Sequence, residues 1–215
     1  MSSIEPGTVS PSHTASHPAL PRLAVLLSGG GRTLDNLLRH IREGGLAAEV
    51  GLVIASRACA GADKATGAGI PTHIIKGPIP AAELTTLLEQ ADIDLVVLAG
   101  YLVRLQIPAG YAGRVINIHP ALLPAFGGKG MYGHHVHEAV LAAGAPESGC
   151  TVHYCDDQYD TGPVIAQARC PVLAGDTPDT LAARVFDLEC DLYPRAIATV
   201  LAARGRRRHP RNDRS

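Results

Sequence analysis

Short apolar runs that alternate with segments at helical spacing constrain this chain more than any other feature. Leu23 to Leu27, Leu52 to Ala55, Thr72 to Ile75 and Asp94 to Gly100 read as strands. Leu34, Leu37 and Leu38 follow the first at helical spacing, a small-residue helix ending near Gly69 follows the second, and Pro80 to Ala91 follows the third. Strands separated by helices need crossover connections, so the sheet is parallel. Further on, Gly149 to Cys155 alternates as a strand and Val164 to Val172 supplies its partner, an antiparallel hairpin added to that sheet. The fold class is α/β, a single Rossmann-like domain with a mainly parallel sheet flanked by helices. A chain of 215 residues is long enough for one stable core. With no Trp and two Phe, that core is built from Ala, Val, Leu and Ile.

The termini differ from the rest. Residues 1–21, rich in Ser, Pro and Thr, have neither an apolar run nor a basic leader and read as a disordered arm. Residues 204–215 hold six Arg and one Asp, a charge of +5 in a chain of net −1. This reads as a solvated basic tail, and no basic stripe with interleaved aromatics suggests nucleic acid as a partner. No segment approaches the roughly 20 apolar residues of a membrane span, and a cytoplasmic location is expected. Cys59, Cys150, Cys155, Cys170 and Cys190 are scattered without a C-x-x-C pair, so neither a disulfide framework nor a zinc knuckle follows.

Chemistry is concentrated at the ends of two strands. Ser28-Gly29-Gly30-Gly31-Arg32-Thr33 joins the first strand to its helix, where positive φ, free helix N–H groups and Arg32 suit a single phosphate. A plain tight turn would read the same way. The loop lacks the spacing of an NTPase and the third glycine of a dinucleotide fingerprint. In Val115-Ile116-Asn117-Ile118-His119-Pro120, Asn117 and His119 share a strand face and emerge where the strand ends at Pro120. They could hold an oxyanion and move a proton, or simply satisfy a strand-end turn. Tyr101 to Leu105 could wall a flat ligand or only pack. Asp160 precedes the sharp Thr161-Gly162-Pro163 bend, which either aims its carboxylate or lets it cap its own backbone. His134, His135 and His137 invite a metal, but their spacing and lack of partner ligands argue against one. Thr180 to Ala203 reads as a long helix that Pro194 should break or kink.

Asn117-Ile118-His119-Pro120 with Leu122-Leu123-Pro124, followed by Asp160-Thr161-Gly162-Pro163, resembles the formyltransferase superfamily. The glycine loop and the Glu189…Tyr193-Pro194 ending resemble its phosphoribosylglycinamide formyltransferase branch, over about Arg22 to Gly205. The resemblance implies a formyltransferase fold with a catalytic domain at 22–203. It further implies 10-formyltetrahydrofolate as co-substrate, no metal, and glycinamide ribonucleotide as acceptor. Asn117, His119 and Asp160 correspond to a catalytic trio in which Asp160 raises the imidazole pKa. Gly31, Arg32 and Thr33 correspond to the phosphate site, and Glu189 to the carboxylate that holds the acceptor. Leu102, Val103, Arg104 and Leu105 would wall the folate, Asp156, Asp157 and Asp160 would cradle its pterin, and His135 and His153 would line the site. Small molecules would be the partners of a monomer or homodimer. Arg32-Thr33 departs from the Ser-Asn common in the family, and the loop from Gly127 to Gly133 is longer than usual.

Other readings carry different chemistry: transfer to an amino sugar nucleotide, formyltetrahydrofolate hydrolysis, or silent binding of folate or nucleotide. Hydrolases of this type usually carry an N-terminal regulatory domain, which twenty-one disordered residues would not supply. A tRNA formyltransferase would need a further domain after residue 205. A dinucleotide oxidoreductase would want an acidic residue where Ser56-Arg57 ends the second strand.

Overall fold

Leu23, Val25 and Leu27 pack into one apolar cluster while Ala24 and Leu26 pack into another, and all five are fully buried. A strand covered on both faces has no reason to alternate, which explains the continuous apolar run. In the computed structural model, which describes residues 20–208, this strand is β1 (Arg22–Leu27). It is followed by α1 (Arg32–Arg42), β2 (Glu49–Ala55), α2 (Ala60–Gly67), β3 (Thr72–Ile74), α3 (Ala81–Gln90) and β4 (Leu95–Leu98). A short 3-10 turn at Ala109–Tyr111 leads into β5 (Val115–His119), then α4 (His134–Ala142), β6 (Glu147–Tyr154), β7 (Val164–Pro171) and α5 (Pro178–Arg208).

The seven strands lie in the order β3-β2-β1-β4-β5-β6-β7. Pairings from β3 through β5 are parallel, and β6 and β7 add antiparallel to the β5 edge. The chain runs outward from β1 through β2 to β3 and then restarts on the other side at β4. The loops after β1 and β4 therefore diverge, and a crevice opens at the carboxyl ends of these strands. Ser28 holds its rim together. Its hydroxyl lies 2.7 Å from the Ser56 hydroxyl after β2 and accepts the Leu102 N–H at 2.9 Å after β4.

Helix α5 is not broken at Pro194, which lies inside its continuous run from Pro178 to Arg208. A proline cannot donate to the carbonyl four residues before it, here that of Cys190. The buried Asn36 on α1 fills the vacancy by donating its amide to the Cys190 carbonyl at 2.8 Å. The neighbouring Tyr193 is fully buried, and its hydroxyl donates towards the carbonyls of Leu98 at 2.8 Å and Ile116 at 3.2 Å, tying α5 to β4 and β5. Replacing Tyr193 with Phe strips those contacts without changing the packing shape, so it is expected to cost about 1–3 kcal/mol in urea denaturation. An unchanged midpoint would show that the tie contributes nothing.

Helix α5 also continues to Arg208, so residues 204–208 begin as helix rather than as tail. The rest of the expected tail (209–215) and most of the expected N-terminal arm (1–19) lie outside the described residues. No described helix is long and apolar enough to cross a membrane.

Candidate active site

The crevice at the carboxyl ends of β1, β4 and β5 encloses a cavity of about 650 Å³. Asn117 and His119 both line it, as their shared strand face requires. Across the sheet, Asn117 stands directly opposite His153 on β6, and its Nδ2 lies 3.2 Å from His153 Nε2. The His153 Nδ1 is 2.9 Å from the Tyr154 carbonyl, so Nδ1 carries a hydrogen and Nε2 is the ring nitrogen that faces Asn117. The Asn117 amide group thus reaches the cavity as a hydrogen-bond donor.

His119 is almost fully buried, and its Nε2 donates to the Phe126 carbonyl at 2.8 Å. That leaves Nδ1 as the basic nitrogen, 3.5 Å from Asp160 Oδ2. The Asp160 carboxylate accepts the Gly128 N–H at 2.9 Å, and its other oxygen is 3.5 Å from His153 Nε2. Burial pushes the Asp160 carboxyl upward, but the His153 contact, the nearby His119 and the Gly128 N–H outweigh it and hold it below its ordinary value. It is therefore a carboxylate at neutral pH. For His119 the balance falls the other way: burial lowers its pKa more than Asp160 and the Phe126 carbonyl raise it. Asp160 does raise the imidazole pKa, as expected, but burial of the ring outweighs it. In the free protein His119 is mainly neutral at pH 7.

Local backbone explains how Asp160 comes to face the cavity. It sits in left-handed geometry, with φ of 58°, at the turn that opens the β6–β7 hairpin. Gly127 passes so close that a Cβ there would lie 2.5 Å from Leu123 Cδ2 and 3.2 Å from Asp160 Cβ. The role of capping its own turn falls instead to Asp156, whose carboxylate accepts the Gln158 N–H at 2.9 Å and the Thr161 hydroxyl.

Leu102, Val103, Arg104 and Leu105 all line one side of the cavity, and Asp156 and Asp157 line the facing turn. Arg104 closes the gap between them by donating to the Asp157 carbonyl at 2.5 Å. Arg32, Thr33 and Glu189 line the end formed by α1 and α5. Gly31 lies beneath this end rather than in its wall: it is buried with φ of 74°, and a Cβ there would fall 2.6 Å from Gly61 Cα. His135 is not among the lining residues. It is exposed, stacks edge-on with Tyr132 and lies 3.2 Å from a Glu138 oxygen. Its place is taken by His134 and by His137, a buried residue whose Nδ1 has no hydrogen-bond partner. Among the described residues no cluster of His, Cys, Asp or Glu is arranged to hold a metal ion.

A family model for formyl transferases matches residues 21–197. The chain belongs to the formyl transferase family. A phosphoribosylglycinamide formyltransferase of Escherichia coli is 38% identical over 186 residues, covering 82% of this chain and 85% of that one. The chloroplastic phosphoribosylglycinamide formyltransferase of Arabidopsis thaliana is 38% identical over 197 residues, 87% of this chain and 68% of the relative. Among solved structures, a glycinamide ribonucleotide transformylase from Symbiobacterium toebii superposes with a TM-score of 0.78 at 37% identity, covering 87% of this chain and 89% of that one.

Phe186 lines this formyl transferase's cavity and was not singled out from sequence, while Tyr101 was read only as part of an apolar wall and His137 only as a candidate metal ligand. His137 had a usable signal, since Val136 and Val140 mark the buried side of α4 beside it. Tyr101 could have been separated from its apolar neighbours by its hydroxyl, which is buried without a partner. Glu189 lines the cavity, and burial lifts its carboxyl to about 8 despite the opposing pull of Arg32. A raised acid binds its extra proton only in the folded state. Stability should therefore fall as pH rises from the unfolded value, 4.5, through about 8, and level off above. Glu189→Gln should flatten that slope in urea midpoints measured across this range. A slope that persists in the variant would assign the effect to another group.

Proposed function

We propose that this protein transfers the formyl group of 10-formyltetrahydrofolate to the primary amine of glycinamide ribonucleotide, a step of purine synthesis. The observation that carries the reading is the convergence of Asn117, His119, His153 and Asp160 on one cavity that is also lined by an apolar wall and by the Arg32 cation. The wall from Leu102 to Leu105 suits a flat heteroaromatic ring, and the turn from Asp156 to Asp160 offers backbone groups along its edge. At the end formed by α1 and α5, Arg32 and Thr33 suit a phosphate, and Glu189 suits the hydroxyls and amine of a phosphorylated sugar amide.

In this reading Asn117 donates an amide hydrogen to the oxyanion that forms when the amine attacks the formyl carbon. His119 takes up the ammonium proton at Nδ1, where the Asp160 carboxylate stabilises the imidazolium, and returns it through water to the departing folate nitrogen. Cys155, a thiol in the cavity wall, is pushed up to about 12 by burial and the nearby Asp160 and Asp156 carboxylates, so it offers no thiolate for a covalent route. The reading carries with it small-molecule partners and a cytoplasmic location.

The test is acceptor choice. With 10-formyltetrahydrofolate present, folate release should depend on glycinamide ribonucleotide and exceed release with an amino sugar nucleotide or with no amine. Release without amine would make the protein a hydrolase, and preference for the sugar nucleotide would replace the acceptor.

A further inference from the structure

Arg32 is the first residue of α1, and its guanidinium carbon lies 3.6 Å from the centroid of the Phe186 ring on α5. Both side chains line the cavity, as does Glu189 one turn beyond Phe186 on the same helix face. Among the described residues Arg32 has no hydrogen bond or ion pair to the protein, although its charge is felt at Glu189. The ring therefore occupies one face of the guanidinium and leaves the N–H groups on its edge uncommitted. A planar cation held by its face and open at its edge is suited to two parallel hydrogen bonds with a phosphate. An exposed arginine otherwise wanders among rotamers, and ordering it would weaken binding.

We propose that Phe186 is a positioning residue for the acceptor's phosphate: it presets Arg32 by stacking, so that the cavity selects phosphomonoesters over their unphosphorylated counterparts. This rests on the formyl-transfer reading of the same cavity and adds to it the residue that sets the grip of the anion. A single guanidinium stacked on an aromatic ring and turned to the phosphate also accounts for a glycine loop that carries arginine where a small polar residue would suffice.

The experiment compares wild type, Phe186→Leu and Phe186→Tyr with glycinamide ribonucleotide and with its dephosphorylated nucleoside. Phe186→Leu should raise KM for the ribonucleotide by about tenfold, the range of one cation–π contact, while kcat and KM for the folate stay within about twofold. Phe186→Tyr should restore wild-type KM, and with the nucleoside the three proteins should be alike. An unchanged KM for the ribonucleotide, or an equal loss on both substrates, overturns the proposal. If wild type transfers no formyl group, the reading of function fails separately, and inorganic phosphate then serves as probe. Phosphate should raise the Tm of wild type and Phe186→Tyr more than that of Phe186→Leu. Equal shifts would overturn the role of Phe186.

Discussion

Asp160→Asn should lower kcat by about 10²–10⁴-fold, the range expected when acid–base support is lost, while the fold survives. The amide nearly matches the carboxylate in shape and can still accept the Gly128 N–H that holds the turn. It cannot stabilise a positive charge on His119, whose Nδ1 is 3.5 Å away, or compensate for the burial that already disfavours that charge. The imidazole of the variant should therefore be harder to protonate than in wild type, and an NMR titration of His119 should move further down in pH. A variant with near-wild-type kcat, or a His119 titration that does not move, would remove Asp160 from proton transfer.

Gly162→Ala should damage both stability and turnover. A Cβ at Gly162 would lie 1.9 Å from the Tyr154 carbonyl oxygen, inside any possible contact, and that oxygen belongs to backbone that cannot swing away. The adjacent Tyr154 N–H donates to the Pro163 carbonyl at 2.9 Å, so the methyl must prise open the first rung of the β6–β7 hairpin. Overpacking against backbone is expected to cost about 3 kcal/mol in denaturant unfolding, and Asp160, two residues upstream, should be displaced with a further loss of kcat. Gly67→Ala is the control, since a Cβ at the end of α2 meets nothing within 4 Å and stability should change by less than about 1 kcal/mol. Equal behaviour of the two variants would mean that the turn relaxes freely.

Much of this architecture was legible because the signals are local. Apolar runs bounded by glycine mark β1 and β4, and Pro120 marks the end of β5, so the parallel core and its crevice follow from spacing alone. Asn117 and His119 were legible as a pair because a strand places alternate residues on one face. The failures arise where a distant partner decides. Pro194 should interrupt a helix judged by itself, but Asn36, far away in sequence, supplies the missing donor. The pKa of His119 turns on how deeply the fold buries it, which the proximity of Asp160 cannot reveal. His135 and His137 differ by two positions, and only the packing of α4 decides that the second faces the cavity and the first faces solvent. Phe186 was invisible as a site residue because its significance lies in Arg32, brought over it from the other end of the chain.

The most direct measurement follows an isotope-labelled formyl group from 10-formyltetrahydrofolate in the presence of glycinamide ribonucleotide, with tetrahydrofolate quantified in the same samples. Direct transfer requires the label to appear in the amide of the formylated ribonucleotide, mole for mole with tetrahydrofolate, and to stop when the amine is omitted. Label recovered as free formate, released at the same rate with or without the amine, would contradict it.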